Sequence, residues 1–269
     1  MKIYDAFLFF NELDLLEIRL NVLNEYVDYF VIAECELTFQ NGVKEFVFEK
    51  NKERFVKFLD KIIYVKSYKE QVPQTLDHWG REQWQRNQLR RGLNNLNHDD
   101  IIIFSDLDEI PRPDILVSAI DALKTEDTIY IFMCDFYNYY LNCVFKDIEF
   151  PCHRVFKYSM LSHEIDDFRN TESQVYSIYS NQIKYLKHAG WHFSFMGGPD
   201  KIIQKIESWG HAELNTDFIK SKVVENVRSL TDIFFRGGSH VGSIVPITND
   251  SHPKYLVDNI DKYQHLVFR

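Results

Sequence analysis

The sequence predicts an α/β protein with a mixed, mostly parallel central sheet flanked by helices. Short apolar runs rich in β-branched residues alternate with stretches of helical periodicity over the first hundred residues. Repeated strand–helix units of this kind favour parallel strands joined by helices. The chain has 269 residues, of which 45% are hydrophobic and 26% are charged, so it is long enough to bury one sizeable core.

The charge and the cysteines exclude several classes of protein. A net charge of −9 disfavours a nucleic-acid partner or an anionic membrane surface. Acidic residues interrupt the apolar run at 6–10, and no stretch approaches the length of a membrane span. The four cysteines form no Cys-x-x-Cys pair, which is typical of buried free thiols in a reducing compartment. We therefore expect a soluble, cytoplasmic protein without a transmembrane segment.

The first half of the chain predicts four strands separated by helices. The first helix has an apolar face made by Leu15, Leu16, Ile18, Leu20 and Leu23. Asn51 is expected to cap the second helix. The strands are expected at 3–10, 28–34, 62–66 and 101–105, and the helices at 12–25, 51–59 and 78–95.

The second half predicts further strands and then two helices. No linker rich in Pro, Gly or Ser divides the chain, and no internal repeat is visible. A single domain over 1–269 is therefore the simplest organisation. The strands are expected at 128–142 and 154–158 and as two short strands within 178–194, and the helices at 200–209 and 216–229.

The segment IIIFSDLDEIPRP, residues 101–113, carries the strongest chemical signal. Asp106 and Asp108 follow a buried strand at its carboxyl end, where open α/β sheets bind ligands. Two carboxylates so spaced can share one divalent cation, which in turn can hold a diphosphate. The alternative is a solvated turn whose aspartates cap the next helix. Pro111 and Pro113 close the segment and start the next helix.

Two classes of enzyme place Asp-x-Asp after an apolar strand. Phosphatases of the haloacid-dehalogenase type continue with Gly-Thr or a close variant, whereas Glu109 and Ile110 follow here. That class is therefore disfavoured. Nucleotide-sugar glycosyltransferases of the GT-A fold place the motif in mid-chain, after a nucleotide-binding half, and this arrangement fits the sequence.

Five stretches of the sequence together are more specific than the Asp-x-Asp motif alone. They are YDAFLFFNELDLLEIRLNVL, VDYFVIAECELTF, DDIIIFSDLDEIPRP, AGWHFSF and PKYLVDNIDKY, and they run from residue 4 to residue 263. With them the chain resembles glycosyltransferase family 17. The resemblance implies a single GT-A domain, with a nucleotide-binding half at about 1–110 and an acceptor and catalytic half at about 111–269. Animal members carry a membrane anchor that this chain lacks, so it looks more like a soluble bacterial or viral member.

The family implies an inverting transfer of a sugar, most simply GlcNAc from UDP-GlcNAc, onto a glycan acceptor with a β linkage. Such a transfer is a single in-line displacement assisted by a carboxylate base. Mn²⁺ or Mg²⁺ at Asp106 and Asp108 would stabilise the departing UDP. A non-catalytic protein that binds a nucleotide sugar or a glycan stays the alternative.

The donor is expected to contact residues at strand ends and on the helix before the Asp-x-Asp strand. Ordinary structural roles compete with this interpretation: capping for Asn11, a turn for Thr38 and solvation for the two arginines. The candidates are Phe10, Asn11, Glu34, Thr38, Arg81 and Arg86.

A histidine and a carboxylate complete the expected site. His192, in GWHFS, is the first choice for a further metal ligand, with His211 and His252 as rivals. Glu213 is the first choice for the base, because the helix start near Thr216 resembles the place of the base in many GT-A enzymes. Capping or solvation is the alternative role for Glu213. The rival carboxylates are Asp135, Asp166 and Asp200.

Overall fold

A computed structural model describes residues 1–170, 172–234 and 240–269. Its strands and helices alternate through most of the chain, with short 3₁₀ segments between them. In chain order they are β1 Ile3–Leu8, α1 Leu13–Leu23, β2 Tyr29–Cys35, α2 Val47–Asn51, β3 Ile62–Ser67, α3 His78–Asn87, β4 Ile101–Phe104, β5 Glu109–Pro111, α4 Pro113–Leu123, β6 Ile129–Asn138, β7 Cys143–Lys157, α5 Gln174–Ile178, β8 Ile183–Ser194, α6 Pro199–Ile206, α7 Asp217–Ser229, β9 Ser243–Ile244 and α8 Lys254–Asp258.

The described strands form one mixed sheet in the order β3-β2-β1-β4-β7-β6-β8-β5, and β9 pairs with β7. All pairings among β3, β2, β1 and β4 are parallel. In the second half, β6 and β8 are parallel, whereas β7 runs antiparallel to both β4 and β6. The predicted α/β class, with a mixed sheet flanked by helices, is confirmed.

Helices cover both faces of the sheet. Successive residues of β4 point to opposite sides, so Ile101 and Ile103 pack in one core cluster and Ile102 and Phe104 in another. The predicted apolar face of α1 lies in the first of these clusters and is buried. Because both faces are covered, the short run at 101–104 is apolar throughout.

Several predicted strand bounds were wrong. The expected strand 128–142 ends at Asn138, because Tyr139 takes a positive φ of 70° and turns the chain. β7 begins at Cys143 rather than at residue 154, and the charged residues at 146, 147 and 149 together with Pro151 hid its length from sequence reasoning. Pro151 lies beside a register shift against β6, where a strand tolerates proline. The two short strands expected within 178–194 are one strand, β8.

The second and third helices also differ from the prediction. α3 ends at Asn87 rather than at residue 95, and a 3₁₀ segment at Gln88–Gly92 follows it. Asn51 ends α2 instead of capping it, and a 3₁₀ segment at Lys52–Phe58 follows. Glu34, at the end of β2, caps α2 instead: its carboxylate accepts hydrogen bonds from the N–H groups of Val47 and Phe48, at 2.6 and 3.1 Å. An anion at a helix N-terminus is favoured by the helix dipole.

Candidate functional site

A cleft of about 420 Å³ opens at the carboxyl ends of β1, β2 and β4. Its volume lies within the range of roughly 300–1,000 Å³ that is usual for small-molecule sites. One wall comes from the segments after these strands, and the other comes from β6, β8 and α6. Lining residues include Phe10, Glu12, Thr38, Trp79, Glu82, Arg86, Asp106, Asp108, Arg169, His192, Lys205, Trp209 and His211.

A buried arginine fixes the backbone of the Asp-x-Asp loop. Arg19 of α1 is fully buried and pairs with Asp5 of β1 through two hydrogen bonds, at 2.6 and 2.8 Å. The same guanidinium donates to the backbone carbonyls of Asp106, Leu107 and Glu109, at 2.7, 3.2 and 2.6 Å. The loop carbonyls are therefore held from inside the protein, which leaves its side chains to face the cleft.

The sequence analysis did not predict this ion pair, although the positions of the two residues indicate it. Asp5 interrupts an apolar strand, and Arg19 lies on the apolar face of α1. A charged residue at such a position is almost never buried unless it is paired. Two charges of opposite sign in adjacent buried elements indicate an internal ion pair.

Asp106 lies between two arginines. Its carboxylate is 3.2 Å from Arg86 and 2.9 Å from Arg169. Burial by itself would favour the neutral carboxyl, but Arg169 and Arg86 outweigh it and lower the pKa of Asp106 well below its usual range. Asp106 is therefore a carboxylate at any physiological pH.

Glu109 is the buried partner that holds Arg169 in place. Its two carboxylate oxygens accept from the guanidinium at 2.5 and 2.8 Å, and one of them also accepts from the N–H of Asp106 at 3.0 Å. Burial opposes its charge, while Arg169 lowers the pKa of Glu109. This bidentate pair is of the strong, geometrically specific kind.

Asp108 is more deeply buried than Asp106 and faces a lysine. Its side chain is 8% exposed, and one oxygen accepts from Nζ of Lys205 on α6 at 2.7 Å. Burial lowers the pKa of Lys205, but Asp108 and then Glu12 raise it above its ordinary value, so the ammonium stays charged. The two aspartates are thus in contact with three cationic side chains, Arg86, Arg169 and Lys205.

His192 reaches the same wall from β8. Its Nε2 lies 3.8 Å from the other oxygen of Asp108, and its ring lies between those of Phe136 and Phe150. Among the described residues its buried Nδ1 has no hydrogen-bond partner. Burial by itself lowers the pKa of His192, but the acidic groups around it, Cys152 and Asp108 first, raise it to about 9.

A hard cation would fit the two aspartates better than a second group of possible metal ligands. This group is the one cluster of His, Cys, Asp or Glu ligand atoms among the described residues. That cluster is formed by Glu109, Cys152 and His192, whose ligand atoms lie within 4.8 Å of one another. Both oxygens of Glu109 are already held by Arg169, and a thiol is a soft ligand. Asp106 and Asp108 instead line the cleft and offer only hard oxygen ligands, which Mg²⁺ and Mn²⁺ prefer, although Arg86, Arg169 and Lys205 hold three of these oxygens in this structure.

The structure brings some predicted site residues together in the cleft. Phe10, Thr38 and Arg86 line it with Asp106, Asp108 and His192. Thr38 is also a turn residue, since its side chain accepts from the N–H of Gly42 at 2.9 Å. The rival histidine His211 lies in the same cleft, against the rings of Trp79 and Trp209.

Other predicted residues do not line this cleft. Glu34 caps α2, and Arg81 donates to the carbonyls of Phe39 and Leu76, so it supports the loop beside Thr38. Asn11 lines a neighbouring cavity and donates to Gln204 at 2.9 Å. The residue that precedes α1 is Glu12, so the capping role considered for Asn11 was wrong.

The candidate base Glu213 lies on the surface. Its side chain is 55% exposed and pairs with His211 at 2.7 Å. Of its rivals, Asp135 pairs with Arg112 and His188, Asp166 pairs with Arg86, and Asp200 is an exposed first-turn residue of α6. His252 is buried away from the aspartates and bonds to the carbonyl of Leu141 at 2.7 Å.

Comparison with known proteins identifies the family of the chain. The model of glycosyltransferase family 17 matches residues 1–268. The β-1,4-mannosyl-glycoprotein 4-β-N-acetylglucosaminyltransferases of Rattus norvegicus and Homo sapiens are each 25% identical to the chain over 96% of its length. These matches cover 53% of each relative, so the chain spans about half the length of the curated relatives it matches.

Among solved structures, the 4-diphosphocytidyl-2C-methyl-D-erythritol synthase of Anaerococcus prevotii DSM 20548 is similar, with 12% identity and a TM-score of 0.42. The match covers 84% of this chain and 96% of that one. In the part of the chain that the structure describes, no helix combines the length and the apolar character needed to cross a bilayer. Because the family model matches nearly every residue, the chain belongs to glycosyltransferase family 17.

Proposed function

We propose that the protein transfers a sugar from a UDP-sugar, GlcNAc in the first instance, onto a glycan acceptor with inversion at the anomeric carbon. The observation that carries the proposal is the cleft itself. Two acidic side chains that follow a parallel strand, Asp106 and Asp108, share it with the three cationic side chains that contact them, Arg86, Arg169 and Lys205. This combination of charges suits a diphosphate that is bound together with a cation.

Asp106 and Asp108 would hold Mn²⁺ or Mg²⁺. His192 is a further candidate ligand in its neutral form, so that metal binding there would release its proton. The cation supplies a positive charge that stabilises the diphosphate leaving group. Arg86, Arg169 and Lys205 add donors around the same place, and arginine binds phosphate oxygens in bidentate geometry. The side chains of this protein therefore bind and orient the diphosphate and neutralise its charge.

The sugar and the acceptor follow from the relatives. Two relatives are named as N-acetylglucosaminyltransferases acting on mannosyl-glycoproteins, so UDP-GlcNAc is the first donor and a mannoside the first acceptor to test. UDP-GlcNAc should outcompete GDP-mannose for the cleft. The cytoplasmic location expected from the sequence, and the role of Glu213 as base, stay predictions.

Calorimetry of UDP with and without Mn²⁺ tests the donor site. The wild type should bind UDP more tightly with Mn²⁺, whereas Asp108→Asn should lose that dependence because it loses a negatively charged ligand. Asp114→Asn, an exposed aspartate in the first turn of α4, is the matched control and should behave as the wild type.

Binding unchanged in Asp108→Asn would contradict the metal assignment. Turnover of UDP-GlcNAc separates an enzyme from a protein that only binds nucleotide sugars. If UDP–Mn²⁺ binds but no UDP-sugar is consumed in the presence of mannosides, the non-catalytic alternative replaces the proposal.

A further inference from the structure

A second cavity adjoins the cleft and shares a wall with it. The cavity measures about 220 Å³, below the range of roughly 300–1,000 Å³ for drug-sized ligands, so it suits a ligand smaller than a nucleotide sugar. Three residues line both spaces: Glu12, Phe195 and Lys205. Whatever binds in the second cavity therefore lies next to whatever binds in the cleft.

The lining of the second cavity suits a single sugar unit, which has polar edges and an apolar face. Leu13 and Met196 are half-buried apolar residues of its lining. On the polar side, Arg54 pairs with Asp14 at 2.5 Å, and Asp14 also accepts from His265 at 2.9 Å. Polar groups that already hold one another in place can bind hydroxyl groups without further ordering.

Glu12 stands at the junction of the two spaces. It lies between the end of β1 and the start of α1, and one of its carboxylate oxygens accepts from the N–H of Asn11 at 3.0 Å. Lys205, its neighbour on the shared wall, contacts Asp108 at 2.7 Å. Glu12 therefore lies on the same shared wall as the lysine that contacts Asp108.

We propose that the second cavity receives the acceptor sugar and that Glu12 is the catalytic base of the transfer. This inference rests on the proposed function. The acceptor hydroxyl oxygen forms the new bond to the anomeric carbon, while the bond from that carbon to the diphosphate oxygen breaks and its electron pair leaves with UDP. The hydroxyl proton passes to the carboxylate of Glu12.

The positions of the two glutamates favour Glu12 over Glu213 as the base. Glu213 lines neither space among the described residues, and its partner is the exposed His211. A base must lie within hydrogen-bond reach of the proton that it takes. Glu12 meets this condition for a hydroxyl group held in the second cavity beside a sugar held in the cleft.

Glu12→Gln tests the role of the base. The variant should bind UDP with Mn²⁺ as the wild type does, but its kcat for hydrolysis of UDP-GlcNAc should fall at least about a hundredfold, since water also needs a base. Glu12→Asp, which keeps a carboxylate, should recover part of this loss. Glu25→Gln, an exposed residue after α1, is the matched control, and Glu213→Gln tests the rival.

Lys201→Trp tests the cavity, because Lys201 is an exposed residue of its lining. UDP release from UDP-GlcNAc is measured with methyl glycosides of mannose, galactose, glucose and GlcNAc as probes. At least one should accelerate release in the wild type. The acceleration, measured in each protein as the ratio of the rates with and without the glycoside, should disappear in Lys201→Trp.

The outcomes are distinguishable. If Glu12→Gln keeps wild-type turnover, or if Glu213→Gln alone abolishes it, the base assignment is overturned. If no methyl glycoside accelerates release, or if Lys201→Trp leaves the acceleration unchanged, the acceptor cavity is overturned. A wild type that neither binds UDP nor consumes UDP-GlcNAc contradicts the proposed function, and the inference falls with it.

Discussion

At the scale of single residues, the loop that carries the two aspartates depends on a buried pair of opposite charges. Arg19 and Asp5 are both fully buried, and the guanidinium also satisfies three carbonyls of the Asp-x-Asp loop. Removing one partner of a buried pair leaves an uncompensated charge, which typically costs about 3–5 kcal/mol. The pair therefore links the stability of the fold to the geometry of the cleft.

Arg19→Met should lower the free energy of unfolding by about 3–5 kcal/mol and weaken UDP–Mn²⁺ binding, because the loop carbonyls lose their donor. Urea unfolding and calorimetry measure the two effects. Lys124→Met, which removes an exposed pair with Asp121, should change stability by about 1 kcal/mol or less. Equal effects of the two substitutions would contradict a structural role for Arg19.

His252 should make stability depend on pH. It is 1% exposed, and burial lowers its pKa below the ordinary value of 6.5, although its bond to the carbonyl of Leu141 opposes this. In the unfolded chain His252 takes up a proton below about pH 6.5, whereas in the folded protein it stays neutral to lower pH. The unfolded state then binds more protons, so stability falls with falling pH.

Urea unfolding at pH 7.5 and pH 5.5 measures this contribution as a difference between the wild type and His252→Asn. The wild type should lose more stability over the interval than the variant does. Comparing the two proteins cancels the contributions of the other histidines. The same loss in both would assign the pH dependence to other groups.

At the scale of elements, the sequence predicted those features that depend on neighbouring residues along the chain. The apolar face of α1 and the start of α4 at Pro113 follow from periodicity and from the fixed φ of proline. The length of β7 does not, because pairing with β4 and β6 decides it. Gly190 shows the same limit: a Cβ there would lie 2.7 Å from the backbone oxygen of Ile110, a contact that only the folded sheet reveals.

At the scale of the whole molecule, the cleft joins residues that are far apart in sequence. Asp106 and Asp108 could be predicted because a strand end and a spacing of two are visible in the sequence. Arg169 and Lys205 could not, because they lie 63 and 97 positions from their aspartate partners. The division of one domain into a nucleotide half and an acceptor half stays a prediction.

The central claim is that this cleft carries out an inverting transfer from UDP-GlcNAc. The most direct measurement is proton NMR of the first sugar product formed from UDP-GlcNAc and Mn²⁺, in the wild type and in Asp108→Asn. An inverting transfer predicts a β-configured product from the wild type and none from the variant on the same timescale. An α-configured product, or equal rates in both proteins, would contradict it.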